Sequence, residues 1–400
     1  MATKIGVAYS NLSNATAAGN EAAILALANG GIQKADFALV FCSGKHNAYE
    51  FLNAVRSVLG AIPLIGGSSI GIVTENFIGY EGFESGITVF ASDTIFFKVF
   101  AQPDINLDER KAGEMLGKQI QEAAGEDDQA LLVFYDSCKQ KNPPMLNFAT
   151  WLFEGLEAVL PKHISCAGSG LLSDMQLNNN TYQFFNGEVR TQNVVAVLLS
   201  GKCSMQTTIM HGCKPASAYL TITKAEGPVV SEIDNRPALE VIDELLGNNH
   251  TLEWKDFSLF VTLGVNRGKK FSAFDEKEYA NRLLLAVDIP SKSLIMFEPD
   301  LKTGDEVQLM RRSVDLDYIR LGINEIKQKI KGSKPVFSFY INCAGRAKPY
   351  AGGQFEDAAE VQKEIGPIPF MGFYCGVEVA KVKEKLQPLD WTGVLCIISE

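Results

Sequence analysis

Long apolar runs are missing from this sequence. Nowhere does it approach the roughly 20 consecutive apolar residues that a bilayer-spanning helix needs, so no membrane insertion is expected. Its first residues, MATKIGVAYSNLS, break their one short apolar stretch with polar side chains and do not read as a secretory leader. A cytoplasmic location is the expectation. Basic charge is also scarce. There are 37 basic against 47 acidic residues, a net charge of −10, and the basic clusters RGKK (267–270) and KVKEK (381–385) are small. Proteins that bind nucleic acid usually present a basic face, so no nucleic acid is expected as a partner. The eight cysteines include no CxxC pair. His163 with Cys166, and His211 with Cys213, belong to no recognisable four-ligand spacing. The expectation is buried, reduced thiols, with neither metal nor cofactor.

What is present is a core. Hydrophobic residues make up 46% and charged residues 21% of 400 residues, which is ordinary for a globular chain and long enough for more than one domain. One pattern recurs three times, over 36–92, 129–200 and 334–399. An apolar strand-like run ends in a small polar residue or Cys. A helical segment follows, then a second apolar run that breaks into glycine and small residues. A variable loop leads to a last apolar run ending in Ser. The glycine breaks are Gly66-Gly67, Gly168 and Gly372.

Glycine permits positive φ and close backbone approach. The first break, in IPLIGGSSIGIVTENF (62–77), lacks the Lys of a phosphate-binding loop and is not a GxSxG nucleophile turn. Elsewhere the spacing predicts a strand over 4–10 and helices over 14–29, 108–124, 236–247 and 315–330. The last carries Ile319, Ile323, Ile326 and Ile330 on one face. Residues 87–101 read as two strands around a tight turn. The fold class is α/β, mixed α+β: mixed parallel and antiparallel sheets covered by helices, built from three similar strand-helix-strand-turn-strand units in two halves.

The residues that carry a family resemblance are VFCS (40–43), PLIGGSSIGIV (63–73), GITVFAS (86–92) and DNRPALEVIDELLG (234–247), followed by NRLLLAVDIPSKSLIMFEPDLKTGDEVQLMRRS (281–313), NCAGR (342–346) and FMGFYCGVEVA (370–380). In order and spacing they resemble a FIST protein, with a FIST N-terminal domain over 1–226 and a FIST C-terminal domain over 227–400. The resemblance implies a cytosolic sensory module for a small ligand, amino acids being the suggested class, with an unidentified signalling protein as partner. It implies no catalytic residues.

Candidate binding residues come from the chain itself. Arg346 follows a strand-like run, where a guanidinium suits a carboxylate. Cys343 precedes it, and Cys375, Glu378 and Gly372 occupy the glycine turn of the same unit. Glu378 suits an ammonium group, which with Arg346 gives a clamp for an amino acid. Gly66, Gly67, Ser68 and Ser69 hold the turn of the first unit, and Arg282 with Asp288 flanks an apolar run. For each, a structural role is the plain alternative: bracing arginine, buried thiol, turn residue. The other functional readings are a cysteine enzyme using Cys343 or Cys375, with His46 as the best placed base, and an interaction scaffold.

Overall fold

The computed structural model describes residues 3–126, 128–141, 144–247, 261–313, 315–351 and 356–400. Three six-stranded sheets share one pairing order. In the first, Phe37–Ser43 lies parallel to Leu64–Ser69 and antiparallel to Ser85–Ala91, which pairs with Lys4–Ser10. In the second, Asp128–Asp136 lies parallel to Ser165–Leu171 and antiparallel to Val194–Gly201, which pairs with Ile95–Gln102. In the third, Pro335–Cys343 lies parallel to Phe370–Cys375 and antiparallel to Gly393–Ser399, which pairs with Ser204–Met210. The sheets are mixed and helix-covered, as the sequence predicts.

The segments exchange hairpins around a ring. Gln183–Phe185 and Glu188–Arg190, of the second segment, complete the first sheet on Leu64–Ser69. Val377–Val382 and Lys385–Leu389, of the third, complete the second on Ser165–Leu171. Gly71–Thr74 and Phe77–Gly79, of the first, complete the third on Phe370–Cys375. The stretch expected as a variable loop is this hairpin in each case. The shared pairing order supports reading the three segments as repeats, which we keep as a proposal.

Both faces of each sheet are buried, so the strands read as near-continuous apolar runs. Inward residues meet where the sheets converge, with Phe41 stacked on Phe373 at 4.4 Å and Phe134 edge-on to Phe41 at 5.3 Å. Outside the first sheet lie α1 (Ala15–Gly30) and α2 (Ala48–Leu59), capped by Asn14 and Asn47. Outside the second lie α3 (Glu109–Ala123) and α4 (Ala149–Glu157). Next in the chain is α5 (Ala238–Leu245), and the third sheet is covered by α6 (Asp317–Lys329) and α7 (Asp357–Ile365). The isoleucine stripe of α6 packs inward as its spacing predicts. Among the described residues no helix is long and apolar enough to cross a membrane.

Two features go beyond the sequence reading. Ser85–Ala91 and Ile95–Gln102 do not pair; the tight turn between them passes the chain from the first sheet to the second. Six further strands close on themselves in the order Leu220–Glu226, Val229–Ile233, Ser293–Met296, Tyr279–Asp288, Thr262–Asn266 and Glu306–Arg312, the last returning to the first. This barrel has its own core, with Ile242 of α5 packed against Val230, Leu284 and Leu294. It stands between Ser204–Met210 and α6, where the other segments have only residues 11–14 or 103–108. The expected boundary at 226/227 falls inside its paired first hairpin.

Candidate functional site

The strands Ser165–Leu171 and Phe370–Cys375 end side by side, joined by the Gly376 N–H to the Gly170 carbonyl at 2.9 Å. The barrel closes over them. The Leu283 N–H donates to Asp390 Oδ2 at 2.9 Å, the Leu283 carbonyl accepts from the Phe297 N–H at 3.1 Å, and Arg282 Nη1 donates to the Pro388 carbonyl at 3.0 Å. Second sheet, third sheet and barrel thus meet at one place, and polar side chains fill it.

Three carboxyl groups lie there, all at most 2% exposed: Glu298, Glu378 and Asp390. Glu298 accepts the Ala149 and Thr150 N–H groups at 3.1 and 2.8 Å. These are orphan donors of the first turn of α4, whose N-cap, Phe148, offers no side-chain acceptor. Glu378 accepts the Thr392 N–H at 3.1 Å, and the Cys375 thiol lies 3.4 Å from its other oxygen. Glu378 faces Leu389 across its hairpin, which sets Asp390 beside it.

Burial disfavours the charged form of each. It raises Asp390 to about 6, against the pull of Arg282. Burial and then the charge of Asp390 raise Glu298 to about 8, although the helix N–H groups oppose this. Burial and Asp390 also push Glu378 well above the usual carboxylate range. At neutral pH Glu298 is therefore mostly neutral and Asp390 mostly charged, while burial favours the neutral form of Glu378. Arg282 acts on Asp390 only at a distance, because its fork holds Asp300 through Nε and Nη2 at 2.6 and 2.5 Å. Burial works against the charge of Asp300 too, but Arg282 keeps it below the usual range.

Hydroxyls stand on both faces of the second sheet here, Ser169 with Glu378 on the inner face and Tyr135 on the face covered by α3 and α4. Tyr135, Ser137, Thr150 and Ser169 are buried, and among the described residues none of their oxygens makes a well-formed hydrogen bond. Ser169 is the register partner of Glu378. A Cβ placed on Gly170 would lie 1.9 Å from Ser137 Oγ and 2.8 Å from Tyr135 Oη, so both hydroxyls face that glycine. The Tyr135 phenol is pushed up by burial and then by Glu298.

Of the residues singled out from sequence, Cys343, Cys375 and Glu378 come together here, with Cys343 and Cys375 opposite each other in register, and Arg282 at the barrel side. Burial, and then Glu378, push both thiols up, the reverse of nucleophile activation. Arg346 lies in a separate cluster. Its Nε and Nη2 bind Asp357 at 2.8 and 2.7 Å, Nη1 bonds the His211 and Trp391 carbonyls at 3.0 Å each, and Nη2 reaches the Tyr318 hydroxyl at 2.6 Å. That occupies all five donors of the guanidinium and leaves none for a ligand.

Gly66 and Gly67, at φ 150° and 155°, serve strand pairing. A Cβ would sit 1.8 Å from the Val40 carbonyl at one and 2.1 Å from the Tyr182 carbonyl at the other. Ser68 accepts the Tyr182 N–H at 3.0 Å, and Gly372 lies against Tyr340. Ser69 is buried, with no partner for its hydroxyl among the described residues. His46 binds the Phe83 carbonyl at 2.8 Å, with burial lowering its pKa. Asp288 accepts the Ser291 hydroxyl at 2.6 Å. The sequence reading missed Glu298, Asp390 and the hydroxyls of Tyr135, Ser137, Thr150 and Ser169. The available signal was, for Glu298, an acid directly after the apolar stretch LIMF.

Comparison with known proteins gives two family matches, the FIST N domain over residues 36–236 and the FIST C domain over 238–381. An uncharacterized protein of Mycobacterium tuberculosis is 26% identical over 234 residues, 58% of this chain and 60% of the relative. An uncharacterized protein of Methanocaldococcus jannaschii is 24% identical over 271 residues, 60% of this chain and 50% of the relative. The chain thus spans about 50–60% of the length of the curated relatives it matches. Among solved structures, a cyanuric acid hydrolase from A. caulinodans aligns at 9% identity and TM-score 0.40, covering 99% of both chains. A chorismatase aligns at 8% identity and TM-score 0.36, covering 100% of both. At these scores neither neighbour informs the site.

Proposed function

The chain belongs to the FIST family, and we propose that it is a sensory protein that binds a small ligand without transforming it, in the polar cluster between the second sheet, the third sheet and the barrel. FIST domains are sensory, small-ligand-binding signalling domains. The observation that carries the placement is the set of buried hydroxyls, at Tyr135, Ser137, Thr150 and Ser169, that make no well-formed hydrogen bond among the described residues. Buried polar groups are nearly always hydrogen-bonded, because each one left unmade costs about 1–3 kcal/mol. A cluster of exceptions at a junction between folding units is where a binding site is expected.

An amino acid or a similar small carboxylate is the ligand class we favour. The hydroxyls, and Glu378 in the protonated form that burial favours, supply donors for its carboxylate, the task the sequence assigned to Arg346. The raised thiols of Cys343 and Cys375 support binding over cysteine catalysis. Two open surface grooves are weaker candidates. One, of about 630 Å³, lies between α6 and the barrel; the other, of about 680 Å³, runs beside Lys381–Gln387. Exposed ion pairs such as Lys277–Glu325 and Lys383–Glu278 already satisfy their walls. A cytosolic setting and a signalling partner protein belong to the same proposal.

The test is a thermal-shift and calorimetric screen over amino acids, organic acids and their amides, on the full chain and on Ser169→Leu, whose side chain occupies the cluster. A ligand at 100 times its Kd adds roughly 2.7 kcal/mol. Binding lost in a folded Ser169→Leu, with the ligand recovered unchanged, supports the reading. Recovery of a converted product would make the protein an enzyme, and binding indifferent to Ser169→Leu would move the site elsewhere.

A further inference from the structure

We infer that the surface groove beside Lys381–Gln387 docks a partner protein through an acidic, leucine-bearing segment of that partner. The inference shares with the reading above only the expectation of a protein partner; the ligand site has its own screen. Its basis is a convergence of charge. The basic clusters RGKK (267–270) and KVKEK (381–385) are small and lie far apart in the chain. In the fold they share one groove of about 680 Å³. Arg267 comes from the barrel, directly after the strand Thr262–Asn266. Lys381, Lys383 and Lys385 come from the hairpin of Val377–Val382 and Lys385–Leu389, and Lys162 from the turn after α4.

The charge of this groove runs against the rest of the molecule. Five cations line it with two acids, Glu157 and Glu384, in a chain of net charge −10. Lys383 is spent on Glu278, and with that acid counted the cations still lead by five to three. Lys162, Lys381 and Lys385 make no ion pair among the described residues. Arg267 gives Nε to Gln387 at 3.1 Å, and its Nη2 stands 3.7 Å from Asp300, which already holds the Arg282 fork. Its Nη1 makes no hydrogen bond among the described residues, and 32% of its side chain is exposed.

The remaining wall is apolar, with Leu160 and Pro161 half-buried and Ile164 and Leu386 buried. Backbone pairing is closed to a partner. Lys385–Leu389 is the edge strand of the second sheet, but its Leu386 N–H goes to Glu157 at 2.8 Å. Pro388 has no N–H, and its carbonyl takes Arg282. Recognition therefore falls to side chains.

Cations on three separate segments suit an extended anion better than a single phosphate. A long phosphate backbone running past the groove meets a chain of net charge −10, which repels it. A short acidic segment ends within the groove, and its leucines use the apolar wall. The groove lies open to solvent, which weakens it as a home for the sensed ligand but is what a docking chain segment needs.

The probe is a fluorescein-labelled peptide of about ten residues, Glu and Asp with leucine at every third or fourth position, titrated into the full chain by anisotropy. Counterparts with Lys for the acids or Ser for the leucines, and a single-stranded oligonucleotide of equal charge, carry the same label. Pyrophosphate is added as a competitor. The acidic peptide is expected to bind, and to weaken at least about tenfold between about 50 and about 500 mM salt. Lys162→Glu with Lys385→Glu is expected to weaken it at least about tenfold. Lys34→Glu with Lys331→Glu makes the same change of net charge outside the groove and is expected to cost less than about threefold. All four lysines are exposed, so the variants fold. No binding of the acidic peptide, equal losses in the two double variants, or a Lys or Ser peptide that binds as well would overturn the inference. So would an oligonucleotide or pyrophosphate that takes the groove more tightly than the peptide, since either makes it a site for another class of anion. None of these outcomes bears on the Ser169→Leu screen.

Discussion

Two clusters of buried charge meet at the end of the strand Pro335–Cys343, and they are satisfied to different degrees. Asn342 belongs to both: its amide donates to Asp357 at 3.1 Å, and its carbonyl lies 3.3 Å from the Cys375 sulfur. On one side, Asp357 receives Arg346, Asn342 and Tyr340, and every donor of Arg346 finds an acceptor. That cluster ties together α7, the strand ends and the residues leading into the barrel. On the other side, three carboxyls and four hydroxyls are buried with fewer bonds than they can make. Buried polar groups are worth keeping for structure only when fully paired. The paired cluster therefore reads as a brace, and the unpaired one as a place kept for something else.

The largest expected effect breaks the brace. Arg346→Met leaves Asp357 buried without its cation and is expected to cost about 3–5 kcal/mol in urea denaturation near neutral pH. A cost below about 1 kcal/mol would erase the contrast between the clusters.

The next effect is on pH. In the folded protein burial holds Asp390 near 6 and Glu298 near 8, above the ordinary values of 3.8 and 4.5. Between those limits the folded state binds more protons than the unfolded one, so stability falls as pH rises. From about pH 5 to about pH 8 the loss is up to about 1.4 kcal/mol per pH unit for each proton held. Denaturation curves at both ends should show it, and Glu298→Gln should flatten the part above about pH 6. A chain that gains stability over this range would contradict the cluster's electrostatics.

The smallest effect sharpens the comparison. Burial and Asp390 favour the neutral form of Glu378, and Glu378→Gln keeps its shape and an acceptor. Its cost is expected within about 1 kcal/mol at neutral pH, against the several lost at Arg346. A cost as large as that of Arg346→Met would mean that Glu378 is ionised and paired.

What the sequence made legible was local. The isoleucines of α6 and the strand runs follow from spacing. So did the meeting of Cys343, Cys375 and Glu378, because two adjacent parallel strands end at the same level. Non-local partners were not legible. Nothing near Arg346 announces that its acceptors are the carbonyls of His211 and Trp391, 135 and 45 residues away. Glu298 reaches α4 across 149 residues. The tight turn after Ala91 was legible, but turn length carries no information about which sheet the next strand joins. The barrel was hidden because closure depends on Glu306–Arg312 returning to Leu220–Glu226, a pairing with no local signature.

The ring of exchanged hairpins also sets a timetable for a chain leaving the ribosome. The first sheet has all its strands once Arg190 has emerged. The second waits for Leu389 and the third for Ser399, although their opening strands begin at Ile95 and Ser204. For most of synthesis the apolar edge of Ser165–Leu171 has no hairpin to cover it, and Gly71–Thr74 has no sheet to join. Late, long-range strand pairing of this kind is slow and leaves sticky edges exposed. A nascent chain stalled between those points would depend on a chaperone to hold it.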